Sequence, residues 1–225
     1  MRTYITTICL GISCMISAQS SHQADYTIKL LVGDQMKPAL PYLADFRLTS
    51  FREYPYLYDG TLEEEQAYCK DLMTFAHAAI AVAYQGDQVV GLLSGASLIP
   101  FSSHFGEVDG FKTSGYDPGK MYYFAEIIVL PEYRGRGLGR RLFQEFEAWV
   151  VSQGYTHGCF ISESYDMHPL KPKNYREHDI QWRSMRYEKV NVSVTYSWNT
   201  IQPDGSSRLQ EHVMPYWVKT FGLQQ

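Results

Sequence analysis

The sequence predicts an α/β fold built on a mixed central sheet, for three reasons. First, an almost continuously apolar run at residues 122–130 leads into a glycine-arginine turn, an amphipathic helix and a second apolar run, Cys159-Phe160-Ile161. Strand, helix and strand in that order form a parallel crossover. Second, Val190, Val192, Val194, Tyr196 and Trp198 alternate strictly with polar residues, and a Pro203-Asp204-Gly205 turn separates them from a further strand at residues 209–220. Third, residues 79–98 hold two apolar runs on either side of Gly86-Asp87, the pattern of an antiparallel hairpin. At 225 residues the chain can bury the core of one domain, expected over residues 25–225.

Taken in order, residues 26–32 alternate like a first strand, closed by Gly33-Asp34. Helical periodicity follows at residues 38–52 and 62–75. Pro55 and Gly60 mark the aromatic stretch between them, Tyr54-Pro55-Tyr56-Leu57-Tyr58-Asp59-Gly60, as a loop. The hairpin comes next, with strands at 79–84 and 89–98. The run at 122–130 suits a strand buried on both faces, with Glu126 as the exception. After the turn, Leu138, Leu142, Phe146, Trp149 and Val150 recur opposite Arg140, Arg141, Gln144 and Glu145, which makes a helix of about four turns. Gly154 stands where a left-handed residue would end it. A helical or irregular segment then precedes the final hairpin, in which Pro215 marks a bulge or an edge position. The expected order is strand, two helices, three strands, helix, strand, that segment, and the hairpin.

The turn Arg134-Gly135-Arg136-Gly137-Leu138-Gly139 is a phosphate cradle in its chemistry. Glycines let backbone N–H groups face a ligand, a helix N-terminus adds about half a positive charge, and two arginines supply full charges. The glycine spacing does not meet the dinucleotide pattern Gly-x-Gly-x-x-Gly, and no Gly-x-x-x-x-Gly-Lys-Ser/Thr run is present.

Arg134, Gly137 and Gly139 meet the signature Gln/Arg-x-x-Gly-x-Gly/Ala, so the turn resembles motif A of the GCN5-related N-acetyltransferase (GNAT) superfamily. The order of elements resembles that fold from end to end. The stretch Phe51-Arg52-Glu53-Tyr54-Pro55-Tyr56-Leu57-Tyr58-Asp59-Gly60, the later Asp166-x-His168-Pro169-x-x-Pro172-x-x-Tyr175-Arg176, and Asp179, Trp182 and Tyr187 are similar to a bacterial subfamily whose acceptor is undefined. The resemblance implies direct transfer of an acetyl group from acetyl-CoA to a primary amine in a ternary complex. It implies that Arg134, Gly135, Arg136, Gly137, Leu138 and Gly139 hold the pyrophosphate, and that Ile128, Val129 and Leu130 meet the pantetheine arm.

Glu126 matches a position where members of the superfamily carry a general base, and burial in an apolar run would tune a carboxyl toward that task. The other reading is a structural acid paired with an arginine. The family's usual thiolate-facing tyrosine, about five residues before a Gly-Phe pair, is replaced here by Trp182, with Arg186-Tyr187 in place of Gly-Phe. Tyr175 is then the candidate acid, or water serves. Tyr56, Tyr58 and Asp59 fall where the family's first two helices wall the acceptor groove, and would hold an amine by cation–π contact and charge. An aromatic loop packed over the sheet is the alternative. His168 and Arg176 either bind an acidic group of the acceptor or form a rigid turn.

The formal charge of −4, without a basic stripe beyond the turn, argues against a nucleic-acid partner. The cysteines and histidines lack metal-ligand spacing. The expected partner is a small-molecule or peptide amine, with a homodimer through the final hairpin as a further expectation. Residues 1–24 read as a signal peptide or an N-terminal extension, too short for a membrane span. A cytosolic cofactor favours the cytoplasm, whereas a cleaved leader would favour export. A non-catalytic acyl-CoA-binding module and an exported binding protein are the alternatives to an enzyme. Cys69 and Cys159 are either free thiols or one disulfide.

Overall fold

The computed structural model describes residues 26–99, 109–163 and 168–222. The segment 1–24 and Asp166, both singled out in the sequence, lie outside the described residues. The strands are β1 Thr27–Val32, β2 Ala79–Gln85, β3 Gln88–Ser97, β4 Met121–Val129, β5 His157–Ile161, β6 Glu188–Ile201 and β7 Ser207–Thr220. They form one sheet in the order β1-β2-β3-β4-β5-β7-β6, parallel between β4 and β5 and antiparallel elsewhere. The helices are α1 Leu40–Ser50, α2 Leu62–Leu72, α3 Asp109–Thr113, α4 Leu138–Ser152 and α5 His178–Ser184. This is the α/β mixed sheet expected from the sequence, with α3 as an addition. None of these helices is long and apolar enough to cross a membrane.

The two faces of the sheet carry separate apolar layers. On one, Leu43 of α1 and Cys69 and Leu72 of α2 pack with Val82, Leu92, Tyr123 and Ile128. On the other, Leu142, Phe146 and Val150 of α4 pack with Ala81, Leu93, Tyr122 and Phe124. Helix α2 begins with a capping box, in which Glu64 N–H donates to Thr61 Oγ1 at 3.3 Å and Thr61 N–H to Glu64 Oε2 at 2.8 Å. Its next turns set Glu65, Tyr68, Cys69 and Leu72 on one side at helical spacing. Helix α4 ends as predicted, with Gly154 at φ +87°. Cys69 and Cys159 are buried free thiols.

Turn chemistry accounts for the boundary differences. The first hairpin closes more tightly than the apolar runs indicate, because Gln85 pairs with Gln88 and Gly86 adopts φ +59°. Pro215 lies opposite Ser193 where the β6–β7 register shifts, so its missing N–H falls at the irregularity that the sequence suggests. Arg186 has φ +67° at the position where the resemblance expects glycine, and the Tyr187 hydroxyl that replaces a phenylalanine edge donates to Glu147 Oε1 at 2.7 Å.

Two features of β4 position the site. Its pairing with β5 covers only Met121↔His157, Tyr122↔Gly158 and Tyr123↔Cys159, after which the strands part. Its pairing with β3 skips Ala125, since Ser94 faces Glu126 while Gly95 faces Phe124. The bulge shifts the alternation by one, so Glu126 joins Tyr123 and Ile128 on the α1/α2 face, while Ile127 and Val129 turn to the α4 face. Gly95 allows it, because a Cβ there would stand 2.4 Å from the Tyr123 carbonyl oxygen.

Candidate active site

The opening between β4 and β5 is the floor of a cleft of about 820 Å³. Its walls come from the loop after α1 (Phe51, Glu53, Tyr54, Tyr56), from β4, from the turn at 134–139, and from α5 with the segment before it. Leu130 N–H donates to Val90 O at 3.0 Å and Leu130 O accepts from Tyr133 N–H at 2.9 Å, so this residue is closed toward β3 and the turn. Antiparallel alternation then directs the backbone groups of Ile128 to β3 as well, and those of Ile127 and Val129 into the opening. Of the expected trio Ile128, Val129 and Leu130, Val129 turns its backbone groups into the opening, together with Ile127, while Ile128 and Leu130 turn theirs away from it. The Val129 carbonyl already accepts from Arg134 Nε at 2.8 Å.

At the mouth of the cleft, Gly135 and Gly137 adopt φ +75° and +80°, and a Cβ on either would meet nothing within 4 Å. Gly137 offers α4 no side-chain cap. The N–H groups of Leu138, Gly139 and Arg140 therefore have no partner within the helix, and these residues line the cleft with the helix dipole behind them. This is a cradle for an anionic group such as a pyrophosphate. Arg134 lines the cleft and pairs with Glu53 at 2.8 Å, an interaction the sequence reading lacked. Arg136 does not line the cleft; it lies over the Tyr133 ring at 6.0 Å. Arg140 reaches across to Ser184, its Nη2 donating to Ser184 Oγ at 3.0 Å.

A second cavity of about 130 Å³ adjoins the first through Phe51, Tyr56, Ala125, Glu126 and Ile161. Glu126 stands where they meet, its side chain fully buried. Its Oε2 accepts from Arg47 Nη1 at 2.5 Å and from the Tyr68 hydroxyl at 2.9 Å, and its Oε1 accepts from the Ser94 hydroxyl. Arg47 also donates to Glu65 Oε2 at 2.5 Å and lies over the Tyr68 ring at 3.7 Å. Burial alone would lower the pKa of the Arg47 guanidinium, but the neighbouring Glu126, Tyr68 and Glu65 outweigh it and hold it above its ordinary value. Burial and the adjacent Glu126 push Tyr68 well above the usual phenol range and Cys69 to about 12. Arg47, Glu65, Tyr68 and Ser94 were not singled out in the sequence. The one signal that pointed to them was an acid alone in an apolar strand, which demands a partner.

The far wall of the cleft carries Tyr175, edge-on to Tyr54 at 4.6 Å, then His178 and Trp182 one helical turn apart. Burial lowers the pKa of His178, whose Nδ1 is buried without a hydrogen-bond partner. Trp182 Nε1 donates to Ser162 Oγ at 3.2 Å. Of the three expected acceptor contacts, Tyr56 lines both of these cavities and Tyr58 and Asp59 line neither; burial pushes the Tyr56 phenol to about 12. Asp59 instead pairs with Arg52 at 2.7 Å and accepts from Ser207 Oγ at 2.5 Å, clasping the loop to β7. Tyr58 folds over Gly60, pairs with Thr200, and bonds to Glu65, so it touches the Arg47 cluster from behind. His168 is buried and its Nδ1 accepts from Leu170 N–H at 3.2 Å, a turn geometry.

Solved structures share this architecture. PH1933 from Pyrococcus horikoshii OT3 matches with a TM-score of 0.56 at 16% identity, over 88% of this chain and 100% of that one. A ribosomal-protein-alanine N-acetyltransferase from Brucella melitensis matches with a TM-score of 0.55 at 16% identity, over 87% and 99%. YncA from Salmonella typhimurium, solved with its cofactor acetyl-CoA, matches with a TM-score of 0.53 at 13% identity, over 89% and 96%. At such identities the likeness concerns the fold. No curated protein matches the chain in sequence. The family model described as Acetyltransferase (GNAT) family matches residues 43–168. With more than half its length covered by that model, and with the parted strands and uncapped helix on which the motif sits, the chain belongs to the Acetyltransferase (GNAT) family.

Proposed function

We propose that the protein transfers an acetyl group from acetyl-CoA to a primary amine, directly and within a ternary complex. One observation carries this reading: the β4–β5 opening runs from an uncapped helix N-terminus at one end to a buried carboxylate beside a second cavity at the other. The turn at 134–139 and Arg134 hold the pyrophosphate, and the Ile127 and Val129 backbone groups hold the pantetheine arm. An acceptor in the smaller cavity presents its nitrogen at Glu126.

In the reaction the amine nitrogen bonds the acetyl carbon, the carbon–sulfur bond breaks, and the electron pair leaves with sulfur. Glu126 takes the proton given up by nitrogen, on the lone-pair position of Oε1 that Ser94 leaves open. The thiolate needs a proton in return. Burial lowers the His178 pKa and so disfavours its acid form, which leaves the Tyr175 phenol as the donor on that wall.

Calorimetric titration with acetyl-CoA, beside an Arg134→Ala, Arg136→Ala double variant, tests the reading. Binding of about −8 kcal/mol that weakens at least about tenfold in the variant is expected. Well-folded protein that binds no acetyl-CoA rejects it.

A further inference from the structure

We infer that the smaller cavity takes an ammonium compound without a carboxylate, whose body is one ring or a short alkyl chain. This rests on the acetyl-transfer reading above and names its acceptor. Charge is the first reason. Arg47 is the only basic side chain among the described residues that line this cavity, and it is committed to Glu65 and Glu126, each at 2.5 Å. Two carboxylates against one guanidinium leave one negative charge in excess. An ammonium entering beside Glu126 balances it, whereas a carboxylate adds to it and would lose its water without finding a cation.

The walls are the second reason. Phe51, Tyr56, Tyr123 and Tyr196 present rings, with Ile161 and Met214 as aliphatic floor. Rings suit both a cation and an apolar body. Burial raises the pKa of Tyr56, Tyr123 and Tyr196, so these phenols stay neutral and do not alter the charge balance. Size is the third. At about 130 Å³ the cavity is slightly smaller than one of roughly 150 Å³ that accepts benzene.

The test is steady-state acetylation by the full chain, followed by release of the CoA thiol, on two matched pairs. Phenethylamine is set against phenylalanine, and pentylamine against norleucine, which differ only by the carboxylate. Acetyl-CoA binding is measured by calorimetry on the same preparation. Each amine is expected to exceed its amino acid in kcat/KM by about tenfold or more. A smaller ratio in either pair overturns the inference. Acetyl-CoA binding with none of the four compounds acetylated also overturns it while leaving the cofactor reading intact, whereas no acetyl-CoA binding removes that underlying reading itself. In Glu65→Gln the excess charge is gone, so the amine-to-amino-acid ratio should fall by about tenfold with the acetyl-CoA Kd unchanged. An unchanged ratio in a variant that still binds acetyl-CoA rejects the charge argument.

Discussion

Arg47 on α1 and Glu126 on β4, 79 residues apart in the chain, form an ion pair of 2.5 Å at the junction of the two cavities. The guanidinium also ties in Glu65 of α2, so one side chain joins both helices to the bulged strand. Arg47→Met would keep the volume and leave two buried carboxylates facing each other without a cation. Stability should fall by about 3–5 kcal/mol, read as a drop in the urea midpoint. A loss below about 1 kcal/mol would mean that water or another cation replaces the guanidinium.

Glu126→Gln keeps the shape of the side chain and removes the proton acceptor. The rate of acetyl transfer should fall by about 10²- to 10⁴-fold while acetyl-CoA affinity stays within about twofold. Retention of full kcat would assign Glu126 to structure alone.

Arg186 is exposed and left-handed, a conformation that costs a residue with a Cβ about 1–2 kcal/mol. Arg186→Gly should therefore raise the thermal midpoint by about 2–6 °C in a chain of this size. Calorimetric scans of the two proteins at one pH decide this, and a lowered midpoint would show that Arg186 makes compensating contacts.

His212 is buried in the β6–β7 hairpin, stacked on Trp198 at 3.6 Å, with Nδ1 2.9 Å from Glu163 Oε2 and Nε2 2.8 Å from Thr200 Oγ1. Burial, helped by His168, lowers its pKa to about 4, against about 6.5 in an unfolded chain. The unfolded state thus binds the proton first as pH falls. Stability on this account is constant above about pH 6.5 and is lost between there and about pH 4. Urea midpoints across that window should fall more steeply for the native chain than for His212→Gln. Parallel slopes would show that other groups govern the acid limb.

Features encoded by neighbouring residues were legible in the sequence. The amphipathic stripe of α4, its stop at Gly154 and the glycines at 135 and 137 all depend on spacing within a few residues. The alternation of β6 and the irregularity at Pro215 were legible for the same reason. What surrounds Glu126 was not, because Ser94 is 32 residues away and Arg47 is 79, and because a one-residue bulge decides which face the acid takes. Asp59 shows the converse: an acid in an aromatic loop suggests a ligand, yet Ser207, 148 residues later, claims it. Helix α3 is only Asp109–Thr113, too short for periodicity to register.

The three register pairs between β4 and β5 make the centre of the sheet its mechanical seam. On one side stand β1, β2 and β3 with β4, and on the other β5, β7 and β6, each half laced internally by longer ladders. A chain pulled apart across its middle would tear here first. Any molecule that lies along the opening and bonds to both strands supplies the missing rungs, so it stiffens the whole plate as it binds.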